Sequence, residues 1–143
     1  MISRVLVFLQ FFIIFLMLLP FGSQTQHLYI GGVLILLGVG IGLLAIATHE
    51  KGNFNIRPTI KENCKLVTHG IYAYIRHPMY LSVLVGMLGV AIVYFTYYEL
   101  VLYLFLFVVM IVKMLYEEHL WKCHLTAYKS YMKKTKRLVP FIF

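Results

Sequence analysis

Charge is what this sequence has least of. Of its 143 residues only 13% are charged, against about 25% in a soluble domain, and five of them are acidic. Residues 5–49 contain no Lys, Arg, Asp or Glu at all, a run of 45. With 62% hydrophobic residues and a mean hydropathy of +0.86, such a chain cannot keep its apolar surface inside one small core. A soluble enzyme and a disordered tail are both excluded. Two cysteines are too few for a secreted disulfide scaffold. Internal repeats and low-complexity tracts are also missing, and the length allows one domain. What remains is an all-α integral membrane protein.

The uncharged stretch is broken once, at residues 20–27, where Pro, Gly, Ser, Gln and Thr make a polar turn. The flanking runs, 5–19 and 28–48, fit spanning helices of about 20 residues, the first with help from Ile2 and Phe21. Arg4 ahead of an apolar run could also begin a signal peptide, but Pro20-Phe21-Gly22 is a poor cleavage site, so the segment is expected to stay as a helix. Residues 79–98 form another uncharged run behind Pro78, well placed to start a helix. Glu99 is followed by a further apolar run, 100–112, then Lys113 and the pair Glu117-Glu118. The expectation is four spans, at about 2–21, 28–48, 79–97 and 100–116, the last two joined as a hairpin around residues 97–99.

Thirteen Lys and Arg against five acids give a net charge of +8. Beside such apolar runs, that charge indicates a bilayer partner and no nucleic acid. If both termini are cytoplasmic, the two outer loops carry no Lys or Arg, which is the positive-inside pattern. The cytoplasmic face then holds nearly all the polar chemistry, and Cys64 and Cys123 are reduced thiols. In the second run Gly38-x-x-x-Gly42 would let a neighbouring helix approach closely.

Tyr74, Lys129, Lys133, Lys134 and Lys136 read as interfacial anchors. His119, Cys123 and His124 fit no closed metal-ligand set, and no metal is expected. Anchoring explains less well why Arg76, His77, Pro78 and Tyr80 crowd one helix start. Leu66-Val67-Thr68-x-Gly70-x-Tyr72-x-x-x-Arg76-His77-Pro78-x-Tyr80, then Glu117-Glu118, Tyr128-x-x-Tyr131 and Pro140, resembles the isoprenylcysteine carboxyl methyltransferases, relatives of the membrane phospholipid methyltransferases. Upstream, Gly52-Asn53-Phe54 and Pro58 fit the same pattern, so the resemblance covers residues 49–140.

The resemblance implies one membrane methyltransferase domain over residues 1–143, using S-adenosylmethionine without the doubly wound sheet of soluble methyltransferases. Its cofactor site would lie on the cytoplasmic face, between the 49–80 loop and the C-terminal helix. By this resemblance the cofactor would touch Cys64, Lys65, Leu66, Val67, Tyr72, His77, Pro78, Met79, Tyr80 and Glu117. Lys113 stands where the family has an Arg directed at the methyl acceptor, and Arg76 and Lys113 are the expected reacting positions. A lysine cannot make the two-pronged contact of a guanidinium.

The residues support such a site independently. A carboxylate at the depth of Glu117 needs a cationic or hydroxyl partner. Tyr72 and Tyr80 offer ring faces to a sulfonium or an adenine, and the start of the third helix offers amides to a carboxylate. The acceptor is expected to be a lipophile or membrane lipid methylated on oxygen, at a carboxylate, as the resemblance implies, or at a hydroxyl. Alternatives are nitrogen methylation of an aminophospholipid, a non-catalytic membrane protein, and a four-helix transporter. The last would be expected to carry a mid-span acid, which these spans lack.

Overall fold

A computed structural model describes residues 2–19, 27–48 and 66–139. Within them lie five α-helices: α1 (Ile2–Met17), α2 (Leu28–Thr48), α3 (Pro78–Tyr94), α4 (Tyr97–His124) and α5 (Thr126–Lys134). A single 3-10 turn, Gly70–Ala73, precedes α3. The all-helical expectation is met, and α2 and α4 are long and apolar enough to cross a membrane. The described α1 and α3, with 16 and 17 residues, reach about 24–26 Å at 1.5 Å per residue. The expected extension of the first span to Phe21 lies outside the described residues.

The hairpin of α3 and α4 is tighter than the sequence suggests. Residues 97–99, expected in the connection, form the first turn of α4, because Thr96 caps it by accepting from the Glu99 amide at 3.2 Å. Only Phe95 and Thr96 lie between the helices. At its other end α4 continues to His124, eight residues beyond the expected end at 116. Nothing in Glu117-Glu118-His119-Leu120-Trp121 breaks a helix, so it continues beyond its apolar stretch.

Glycines set the spacing of α2 against α3. A Cβ at Gly31 would sit 2.6 Å from the Gly89 carbonyl oxygen, and one at Gly89 the same distance from that of Gly31. At Gly38 it would lie 2.6 Å from the Gly86 nitrogen, and at Gly42 2.7 Å from Ser82 Oγ. Numbers rise on one helix as they fall on the other, so the pair is antiparallel with backbones nearly touching. The partner that Gly38-x-x-x-Gly42 accommodates is therefore α3 of the same chain.

A core of Leu6, Ile13, Met17, Leu84, Leu106 and Met114 locks α1 and α3 onto α4. The outward faces stay apolar: Phe8, Phe15, Leu36, Leu43 and Leu104 are all exposed. Continuous apolar surface of this kind is what lipid tails cover.

Candidate active site

The polar groups gather where α3 begins, α4 leaves its apolar stretch and the chain after α5 returns. Backbone pairing closes this end. The Arg76 amide donates to the Lys136 carbonyl at 2.8 Å, that of His77 to the Arg137 carbonyl at 3.0 Å, and that of Lys136 to the Tyr74 carbonyl at 3.1 Å. From this short parallel bridge Arg76 reaches inward. Its Nε donates to Glu118 Oε1 at 2.9 Å, and its Nη1 to the carbonyls of Met132 (3.2 Å) and Thr135. Arg137 Nε donates to the other Glu118 oxygen at 3.2 Å, and His77 Nε2 stands 3.4 Å from Oε1. Glu118 is 1% exposed. A carboxylate so buried persists only when paired and hydrogen-bonded, and here two guanidiniums meet that need.

Glu117, one residue earlier and about 100° round the helix, points elsewhere. Its Oε2 accepts from the Tyr80 hydroxyl at 2.5 Å. The Tyr80 ring lies edge-on to His77 at 5.2 Å, and the Lys113 ammonium stands 5.2 Å from its centre. Lys113, 3% exposed, also donates to Gln10 Oε1 at 2.6 Å. An ion over a ring face, an amide and a phenol–carboxylate pair thus form one chain from α1 through α4 to α3.

A second cluster holds Val67 and Tyr72 against Ala45, with Ile71 and Met79 beside them. Gly70 permits the turn into it: φ is +59°, and a Cβ would lie 2.8 Å from Thr48 Cγ2. Tyr131 of α5 pins the turn by donating its hydroxyl to the Tyr72 carbonyl at 2.6 Å. Burial pushes the Tyr131 phenol up to about 12, with Arg76 pulling the other way. Tyr72 and Tyr128 are raised further, chiefly by burial, with the Glu117 and Glu118 carboxylates adding to it. All three therefore remain neutral donors at physiological pH.

Of the residues expected from sequence, His77, Pro78, Tyr80, Lys113 and Glu117 meet at one end of the bundle, and Val67, Tyr72 and Met79 form the neighbouring apolar wall. Leu66 is half-buried at the start of that segment. Cys64 and Lys65 lie outside the described residues. Two expectations change. The amide-rich start of α3 is narrower than expected: Pro78 has no N–H, and the His77 and Tyr80 amides are bonded to the Arg137 and His77 carbonyls. Arg76, expected to react, has its guanidinium taken up by Glu118, Met132 and Thr135.

Sequence reasoning missed Gln10, Arg137 and the central place of Glu118. Gln10 left a signal, being the one polar residue in residues 5–19. Arg137 left none, because its partner is fixed only when the chain folds back. Between α5 and Arg76 a groove of about 280 Å³ is lined by Lys133, Lys134, Lys136 and Arg137, with Met132 and Thr135.

The described helices form an apolar bundle whose charged groups, Glu99 apart, lie toward one end. Residues 26–126 match the model of the phospholipid methyltransferase family, and the chain belongs to that family. No individually curated protein matches it. Family members are membrane methyltransferases that act on lipids and generally use S-adenosylmethionine, so this chain is an S-adenosylmethionine-dependent methyltransferase.

Proposed function

We propose that the chain is a four-span membrane enzyme with both termini and its active site on the cytoplasmic side. On this reading it methylates the carboxylate oxygen of a lipophilic acceptor, of the kind a prenylated cysteine presents. The orientation is supported by the charge pattern: every basic residue falls in residues 1–4, 49–77 or 113–137, and none in the two short connections assigned outside. The basic groove by α5 would then face anionic headgroups.

The donor set fits S-adenosylmethionine. Glu117 offers a carboxylate to its ammonium or ribose hydroxyls, and Tyr80 and Tyr72 offer aromatic faces. His77 Nε2 is buried 3.4 Å from Glu118 Oε1, without a well-aligned hydrogen bond among the described residues. Val67 and Met79, packed beside Tyr72, with Leu66 next in sequence, would add apolar contacts to the same site. When bound, the cofactor supplies a sulfonium methyl group that the acceptor oxygen takes, the carbon–sulfur electron pair returning to sulfur.

A carboxylate acceptor needs no proton removed, so the protein need not provide a strong base. Its work is alignment and exclusion of water. Lys113 is the residue assigned to the acceptor, its buried ammonium suited to an anionic oxygen. Arg76 is better suited to holding: bound to Glu118 and to the segment after α5, it would fix the start of α3 from which His77 and Tyr80 project.

The observation that carries this reading is the Lys113 ammonium beside the Tyr80–Glu117 pair. The family match itself favours a second reading, nitrogen methylation of an aminophospholipid headgroup. Incubating the purified protein with methyl-labelled S-adenosylmethionine and total membrane lipid separates the two. A carboxylate ester releases labelled methanol under mild base, whereas an N-methylated headgroup keeps its label. Labelled methanol is expected; base-stable label in the headgroup fraction selects the second reading, and no label in any lipid overturns both.

A further inference from the structure

Gln10 lies near the middle of α1, is 6% exposed and faces the bundle. The family match begins at residue 26, so α1 lies outside it. Yet α1 supplies the side chain that holds Lys113, 103 residues further along the chain. An ammonium has three donors and no acceptor, so the amide must present its oxygen to it. Burying both groups is costly unless they meet, and they meet at 2.6 Å.

What matters chemically is that the partner is neutral. A carboxylate at position 10 would cancel the Lys113 charge, whereas an amide fixes the ammonium in place and leaves the charge available. The ammonium also stands over the Tyr80 ring, and the nearby Glu117 carboxylate acts on it through space, while no carboxylate hydrogen-bonds to Lys113 among the described residues. A fixed, buried ammonium with donor capacity to spare suits an acceptor carrying negative charge.

We propose that Gln10 is a positioning and specificity-determining residue: by holding the Lys113 ammonium through a neutral amide, it makes the site select lipophilic carboxylates. This rests on the assignment of Lys113 to the acceptor. It adds that the selectivity depends on a helix outside the matched family region.

The test uses the full chain in detergent and two probes, S-prenylated N-acetylcysteine and its methyl ester, with affinities from calorimetry. Wild type is expected to bind the acid at least about tenfold more tightly than the ester, a difference of about 1.4 kcal/mol. Gln10→Leu should bring that ratio below about threefold and raise KM for the acid about tenfold while changing kcat less than about threefold. Gln10→Glu keeps the volume and pairs with Lys113, and it should abolish the preference as well. S-adenosylhomocysteine affinity, measured in parallel, should be unaltered in both variants. A wild type without acid preference overturns the inference, as does a preference that survives both substitutions. Failure of wild type to bind S-adenosylhomocysteine would instead overturn the cofactor assignment, and the acid-to-ester ratio would still judge Gln10.

Discussion

Arg76 and Glu118 meet at 2.9 Å across 42 residues of chain, and both side chains are almost fully buried. That pair divides the labour between two adjacent carboxylates. Glu118 gathers Arg76 and Arg137, tying the entry of α3 to the segment that follows α5. Glu117 is turned away to the Tyr80 hydroxyl, and a half-buried carboxylate with one phenol partner keeps lone pairs for a ligand. The sequence Glu-Glu thus reads as one structural residue and one ligand-facing residue, separated by a single helical step.

Neutralising each in turn should separate these roles. Glu118→Gln leaves the Arg76 guanidinium buried without a counter-charge, a loss of about 3–5 kcal/mol. For a chain this size, that lowers the unfolding temperature by roughly 10 °C or more. Glu117→Gln should leave the unfolding temperature near that of wild type but weaken S-adenosylhomocysteine binding at least about tenfold, one charge-assisted contact being worth that much. Thermal unfolding in detergent beside calorimetry checks both, and the reverse pattern would exchange the assignments.

How much of this the sequence disclosed depends on distance along the chain. The apolar runs of α2, α3 and α4 were legible because nothing charged interrupts them, and Arg76-His77-Pro78-x-Tyr80 because it is local. The ends of α4 were not. A single threonine cap drew residues 97–99 into the helix, and the far end lacks a breaker before Leu125. Glu118 could not be told from Glu117, since its partners sit 42 and 19 residues away and only the folded chain brings them to it. Gly38 and Gly42 announced a close approach without naming α3, since any helix with Gly or Ser at the matching step would have served.

That close approach makes glycine substitutions unequal. Nothing lies within 4 Å of a Cβ built at Gly40, whereas one at Gly38 falls 2.6 Å from the Gly86 nitrogen and 2.8 Å from the Ser82 carbonyl oxygen. Gly40→Ala should therefore be neutral or stabilising by up to about 1 kcal/mol, the helix propensity difference. Gly38→Ala must push two backbones apart, and overpacking of this kind costs about 1–3 kcal/mol. Thermal unfolding of the two variants side by side measures the difference. Equal unfolding temperatures would mean that α2 and α3 need no glycine contact.

The hydroxyl of Tyr131 makes stability depend on pH at the alkaline end. Its phenol titrates at about 12 in the folded chain, against about 10 when exposed, chiefly because it is buried. The neutral donor is thus favoured by folding. That stabilisation is fully present below about pH 10 and lost as pH rises towards 12. Tyr131→Phe removes the hydrogen bond to the Tyr72 carbonyl and should cost about 1 kcal/mol at pH 7.5. Above pH 10 the gap between wild type and variant should shrink, because wild type alone loses the contribution of this phenol. The lysines titrate in both proteins and cancel in the difference. Unfolding temperatures measured from pH 7.5 to 12 follow that gap directly, and a gap constant across the range would show that the Tyr131 proton plays no part in holding the turn at Tyr72.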